Sequence, residues 1–192
     1  MDYEKYKDEI AMHALRVFVE RGYHRATLQD VAERCGIGRT TLYSYFKNKE
    51  DIFLHVVKKQ VEAFRAAYRN LLEDPELSYL DKIKELVARV IRDYENNHEL
   101  VIFTELWLLL KMKEGQPERA LRRWLREIRL MFADLFKEAM QHREIKKGDH
   151  EILSSILFGL LEAMLLEKAW NREMQLDAHL QGIYLMLDGL RA

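Results

Sequence analysis

The chain has 192 residues, 48% of them apolar and 33% charged, with a formal net charge of -1. That length fits one domain, or a small domain joined to a moderate one, and the apolar share is enough for a real core. Two prolines and eight glycines supply too few turns for an all-β design, and a near-neutral total excludes a global polycation.

Long runs rich in Ala, Leu, Glu, Lys, Arg and Met favour helix, so the fold class is all-α. Ile10, Ala14, Phe18 and Val19 follow helical spacing and stop at "RGYH", where Gly22 can end the first helix. Thr27-Leu28-Gln29-Asp30 has the form of a capping box, which predicts a second helix carrying Leu28, Val31, Ala32 and Cys35 inward and ending at Gly36. A short third helix is expected over about 39–46, and the sequence "NKED" caps a long fourth one reaching about 72. Pro75 marks a break. Further helices are expected over about 79–96 and 100–113, then from the first-turn position of Pro117. The last two are expected over about 150–170 and 176–190.

The stretch "GIGRTTLYSYFKNKE" is unlike an ordinary amphipathic helix. Two short helices joined by a tight turn at Gly36 make a helix-turn-helix pattern. Ile37, Leu42 and Phe46 can anchor its second helix. The other face then presents Arg39, Thr40, Thr41, Tyr43 and Ser44, whose guanidinium and hydroxyl groups suit base edges and phosphates. Charge segregates accordingly: residues 21–49 hold six basic side chains against two acidic ones, a local +4, of the kind that draws a polyanion.

The run "RATLQDVAERCGIGRTTLYSYFKNKEDIF" closely resembles the DNA-binding segment of the TetR family of bacterial repressors. The resemblance covers the N-terminal quarter. It implies about nine helices in all, with a helix-turn-helix domain over 1–50 and a helical ligand-binding and dimerisation domain over 51–192. It further implies that Thr27 caps the second helix and touches phosphate, and that Arg39, Thr40 and Thr41 lie at the groove. Tyr43 and Tyr45 would meet the DNA backbone or an adjoining base, with Ser44 beside them, and Lys47 and Lys49 would meet phosphate. Gly38 replaces a hydroxyl residue often found there, so the third helix should have a weaker cap.

The penultimate helix is apolar nearly all round, which predicts burial on several sides. A homodimer through Ile156, Leu160, Leu161, Met164, Ile183 and Leu187 fits the resemblance and the two-fold symmetry of operators. Between these helices and the DNA-binding segment lies an aromatic-rich middle. There the resemblance implies a cavity for a small, largely apolar inducer, for which Tyr94, Phe103, Glu105, Trp107 and Phe132 are the expected lining.

Other chemistry finds little support. The seven histidines are dispersed without a metal-binding spacing, and neither a glycine-rich phosphate loop nor a nucleophile elbow is present, so neither metal, cofactor nor catalysis is expected. Cys35, the single cysteine, reads as a small buried apolar residue. The N-terminus lacks the apolar core of a signal peptide, and the greasy stretch at 152–166 is short for a bilayer span, which predicts a cytoplasmic protein. The sequence therefore describes a homodimeric, ligand-responsive repressor that binds double-stranded operator DNA. Alternatives are a DNA-binding regulator answering to a protein partner or to no ligand, and a helical enzyme or carrier that merely retains the motif.

Overall fold

The computed structural model describes residues 2–97, 101, 102, 104, 106, 116–171 and 173–192. Among them are eight named helices: α1 (Tyr3–Arg21), α2 (Leu28–Cys35), α3 (Arg39–Tyr45), α4 (Lys49–Glu73), α5 (Tyr79–Asn96), α6 (Gln116–Gln141), α7 (His150–Trp170) and α8 (Leu176–Asp188). The all-α expectation holds, and α5 and α7 have the bounds that periodicity and capping indicate. Of the helix expected over 100–113, residues 101, 102, 104 and 106 are described and helical, and the rest lie outside the described residues.

The chain divides into two compact units, one of Met1–Phe64 with Asn97–Trp124 and the other of Arg65–Asn96 with Leu125–Ala192. In the first, α1 ends where Gly22 takes a φ of 77° and α2 where Gly36 takes a left-handed φ of 66°, a conformation that costs glycine little. The Gly36 N–H reaches Ala32 and Glu33 carbonyls and the Ile37 N–H reaches Ala32 O at 3.0 Å, so the turn into α3 is tight. Ala14, Leu15 and Phe18 of α1, Val31 of α2, Leu42 of α3 and Ile52 and Phe53 of α4 are fully buried. Burying each larger side chain contributes about 1.5–3 kcal/mol, so α3 is held by its apolar face and left bare on the other.

In the second unit, Leu80, Ile83, Leu86, Val87 and Ile91 of α5 and Phe132, Phe136 and Ala139 of α6 form the centre of the core. Its polar groups are fastened to backbone. Lys82, nearly buried, donates Nζ to the Leu72 carbonyl at 3.0 Å, capping the last turn of α4. The Glu144 carboxylate accepts from the Tyr79 and Leu80 N–H groups at the start of α5. The residues after α8 pair back on the α6–α7 connection: Lys146 N–H donates to Leu190 O at 2.8 Å, and Ile145 bridges Arg191 in antiparallel fashion.

Candidate DNA-binding site

The site begins with a cap. Asp30 N–H donates to Thr27 Oγ1, while Thr27 N–H and hydroxyl both donate to the Asp30 carboxylate at 2.8 Å. These bonds, with Arg21 paired to the same carboxylate, hold Asp30 below its ordinary carboxyl range. The charged Asp30 thus fixes both the start of α2 and the end of α1, since Arg21 closes the latter. Thr27 itself is exposed, so capping leaves its outer side open to a phosphate.

On α3, Leu42 is fully buried and the C-terminal Phe46 nearly so, whereas Arg39, Thr40, Thr41, Tyr43 and Ser44 are exposed. A seven-residue helix cannot hide five polar side chains from water by accident of packing: buried Leu42 sits among them, and its neighbours on the far face must point outward. Arg39 stacks over Tyr43, its guanidinium carbon 5.4 Å from the ring centre, and donates to the Tyr43 hydroxyl at 3.1 Å. This pair presents a cation with a preset direction, suited to a guanine edge or a phosphate. Gly38 is the N-cap and supplies no side-chain bond, as its lack of a hydroxyl predicts. Its own place at the turn lets backbone approach a ligand closely. Lys47 is exposed, and its N–H donates to Asp51 while Asp51 N–H donates to Asn48, securing the start of α4.

Two of the expected contacts are employed within the protein instead. Lys49 Nζ donates to the carbonyls of Tyr23, His24 and Ala26 at 2.8, 2.9 and 3.1 Å and lies over the Tyr23 ring. An ammonium has three donors, and here all are taken, so Lys49 brackets the α1–α2 connection to α4 rather than reaching for phosphate. Sequence position could not reveal this, because the accepting carbonyls come from a segment more than twenty residues earlier. Tyr45 is half-buried and stacks on Tyr3 of α1. The sequence does not mark Tyr3 and Tyr6 as site residues, because an aromatic pair three apart signals a shared helix face and nothing about what that face meets.

The sites expected in the C-terminal region divide in the same way. Tyr94 and Phe132 are buried side chains of their unit's core; Phe103, Glu105 and Trp107 lie outside the described residues. A groove of about 410 Å³ in the second unit is lined instead by Leu72, Glu127, Leu130, Met131, Asp134, Leu135 and Glu138. Of the six expected interface residues, Leu161, Met164, Ile183 and Leu187 are buried within the protomer, while Ile156 and Leu160 are 51% and 37% exposed. The unpartnered apolar side adds Ile152 of α7 and Leu185 and Met186 of α8, with Gly159 and Gly182 opening space beside them. A helix apolar on every side does not disclose which side its own core takes, and that is why four of the six change place.

Among the described residues no group of His, Cys, Asp or Glu is arranged to hold a metal, and no helix is long and apolar enough to cross a membrane. Burial pushes the half-buried Cys35 thiol upward, against the pull of Arg34, so it is not poised as a thiolate.

The family model for bacterial regulatory proteins of the tetR family matches residues 10–56, the span from the middle of α1 into α4. Over 154 residues the chain is 27% identical to the fatty acid metabolism regulator protein of Bacillus subtilis, covering 78% of this chain and 76% of that one. Its fold is similar to that of the fatty acid degradation regulator FadR from Bacillus halodurans, with a TM-score of 0.83 at 23% identity over 95% of this chain and 94% of that one. It is also similar to the transcriptional regulator FadR from Bacillus subtilis in complex with stearoyl-CoA, with a TM-score of 0.80 at 23% identity over 93% and 95% of the two chains.

Proposed function

We propose that the chain, whose residues 10–56 match the tetR family model, is a DNA-binding transcriptional regulator of that family and acts as a homodimeric repressor, released from its operator by a molecule bearing a long apolar chain. The observation that carries this reading is the bare face of α3, where Arg39, Thr40, Thr41, Tyr43 and Ser44 stand exposed on a helix anchored by Leu42 and Phe46. Residues 1–50 act as the DNA-binding domain, with Thr27, Gly38 and Lys47 at the backbone; residues 51–192 bind the effector and dimerise. Two protomers meet through Ile152, Ile156 and Leu160 of α7 and Leu185 and Met186 of α8, and a dimer of this kind reads an operator whose half-sites lie about 34–36 Å apart or a multiple of that. The regulator works in the cytoplasm and catalyses nothing.

A fatty acyl effector is supported by the stearoyl-CoA bound to the Bacillus subtilis relative. The test is fluorescence anisotropy on duplexes that the wild-type protein selects from a randomised library, with and without stearoyl-CoA. Binding of effector and DNA is reciprocal, so stearoyl-CoA should weaken duplex binding and the duplex should weaken stearoyl-CoA binding by the same factor. Equal acyl-CoA affinity with and without duplex rejects it as effector. Failure to select any duplex rejects the DNA-binding assignment.

A further inference from the structure

The first two turns of α1 carry Tyr3, Tyr6, Lys7 and Asp8, and all four meet α3, its C-cap Phe46 or α4. The Tyr3 ring stacks on Tyr45 with centroids 4.8 Å apart and planes inclined by 23°, and its hydroxyl donates to the Ser44 carbonyl at 3.1 Å. Tyr6 meets the same Tyr45 ring edge-on at 5.5 Å. Lys7 Nζ lies 5.2 Å from the centre of the Phe46 ring, whose edge faces His55 of α4. Asp8 closes the arrangement, receiving Lys59 Nζ at 2.9 Å and lying 2.6 Å from His55 Nε2.

We propose that this end of α1 is a positioning clamp for the recognition helix, in which Tyr3 and Tyr6 set the direction of α3 by holding Tyr45. α3 has a single fully buried side chain, Leu42, and no side-chain cap at its start. A short helix held only by Leu42 near its middle and by Phe46 at its C-cap can still roll about the line joining them. The Tyr45 ring and the Ser44 carbonyl are at its far end, where a hold suppresses rolling. Rolling would displace Arg39, less than two turns from the clamp on the same short rod, and with it every base contact at once. Tyr3 is half exposed, so it contributes little to the core; its work is directional. The clamp rests on the assignment of α3 as the DNA-reading helix.

The test uses the full-length protein, the duplex selected by the wild type and a scrambled duplex of equal length, at several salt concentrations. An aromatic pair of this geometry sets the scale, so Tyr3→Ala should weaken selected-duplex binding about three- to ten-fold. Scrambled-duplex affinity and salt slope should hardly change, and the protein should stay fully folded at the assay temperature. Tyr3→Phe, which keeps the stack, should retain most of the wild-type affinity. Because Tyr3 acts through Tyr45, the Tyr3→Ala/Tyr45→Ala double variant should bind no more weakly than Tyr45→Ala alone. Losses that add, or equal losses on both duplexes, overturn the clamp; so does wild-type selectivity in Tyr3→Ala. Tyr3→Leu repeats the comparison should Tyr3→Ala perturb α1. A wild-type protein that selects no duplex removes the DNA-reading role itself, and is told apart from failure of the clamp by that first measurement.

Discussion

Replacing Lys49 by methionine separates the two roles open to a lysine at the start of α4. Methionine retains most of the stem while deleting the ammonium and, with it, the cation–π contact with Tyr23. In the structure that ammonium serves three carbonyls at 2.8–3.1 Å, two of them part-buried and one exposed. A hydrogen bond to a charged group is worth about 1.5–3 kcal/mol. The His24 carbonyl can turn to water, and bonds sharing one donor group do not add fully, so the loss should be about 2–4 kcal/mol. Urea denaturation should show this as a lower midpoint with an unchanged slope. DNA binding measured well below that midpoint should keep its salt slope, because no phosphate contact is lost. If Lys49→Met instead left stability intact and reduced the salt slope by about one, Lys49 would be a phosphate ligand and the bracket would carry no weight.

Arg39→Ala and Thr41→Ala should relax sequence preference at single base positions, each by about 1–3 kcal/mol, as read from competition between point-substituted duplexes. Ile156→Glu and Leu160→Glu should yield folded monomers by light scattering and circular dichroism, whereas Leu161→Glu should unfold the second unit, because it buries an unpaired charge; a dimeric Ile156→Glu protein would move the interface elsewhere. Desolvation raises the Asp8 carboxyl, but bonds from His55 and Lys59 outweigh it and leave the group below its ordinary value. Its stabilising effect is therefore full above about pH 4 and lost as pH falls through the depressed folded value. Asp8→Asn should flatten that acid limb in a pH series of unfolding midpoints, and an unaltered limb would assign it to other carboxylates.

Local chemistry determined a good part of this protein. The Thr27–Asp30 box, the left-handed Gly36 and the 3.6-residue spacing of apolar side chains act over a few residues, so they fix helix ends and the helix-turn-helix without reference to distant sequence. The exposed face of α3 is legible for the same reason: Leu42 and Phe46 identify the inner side, and the polar residues between them have one other side to occupy. Tertiary structure alone decided what depends on segments far apart in the chain. Whether Lys49 meets phosphate or backbone is settled by carbonyls at Tyr23, His24 and Ala26. Tyr45 is claimed by an aromatic ring 42 positions earlier, and the side of α7 that remains uncovered is fixed by how α7 and α8 seat in their own unit. A residue's type states what it can bond to; its distance from competing partners, set by packing, decides which of them it meets.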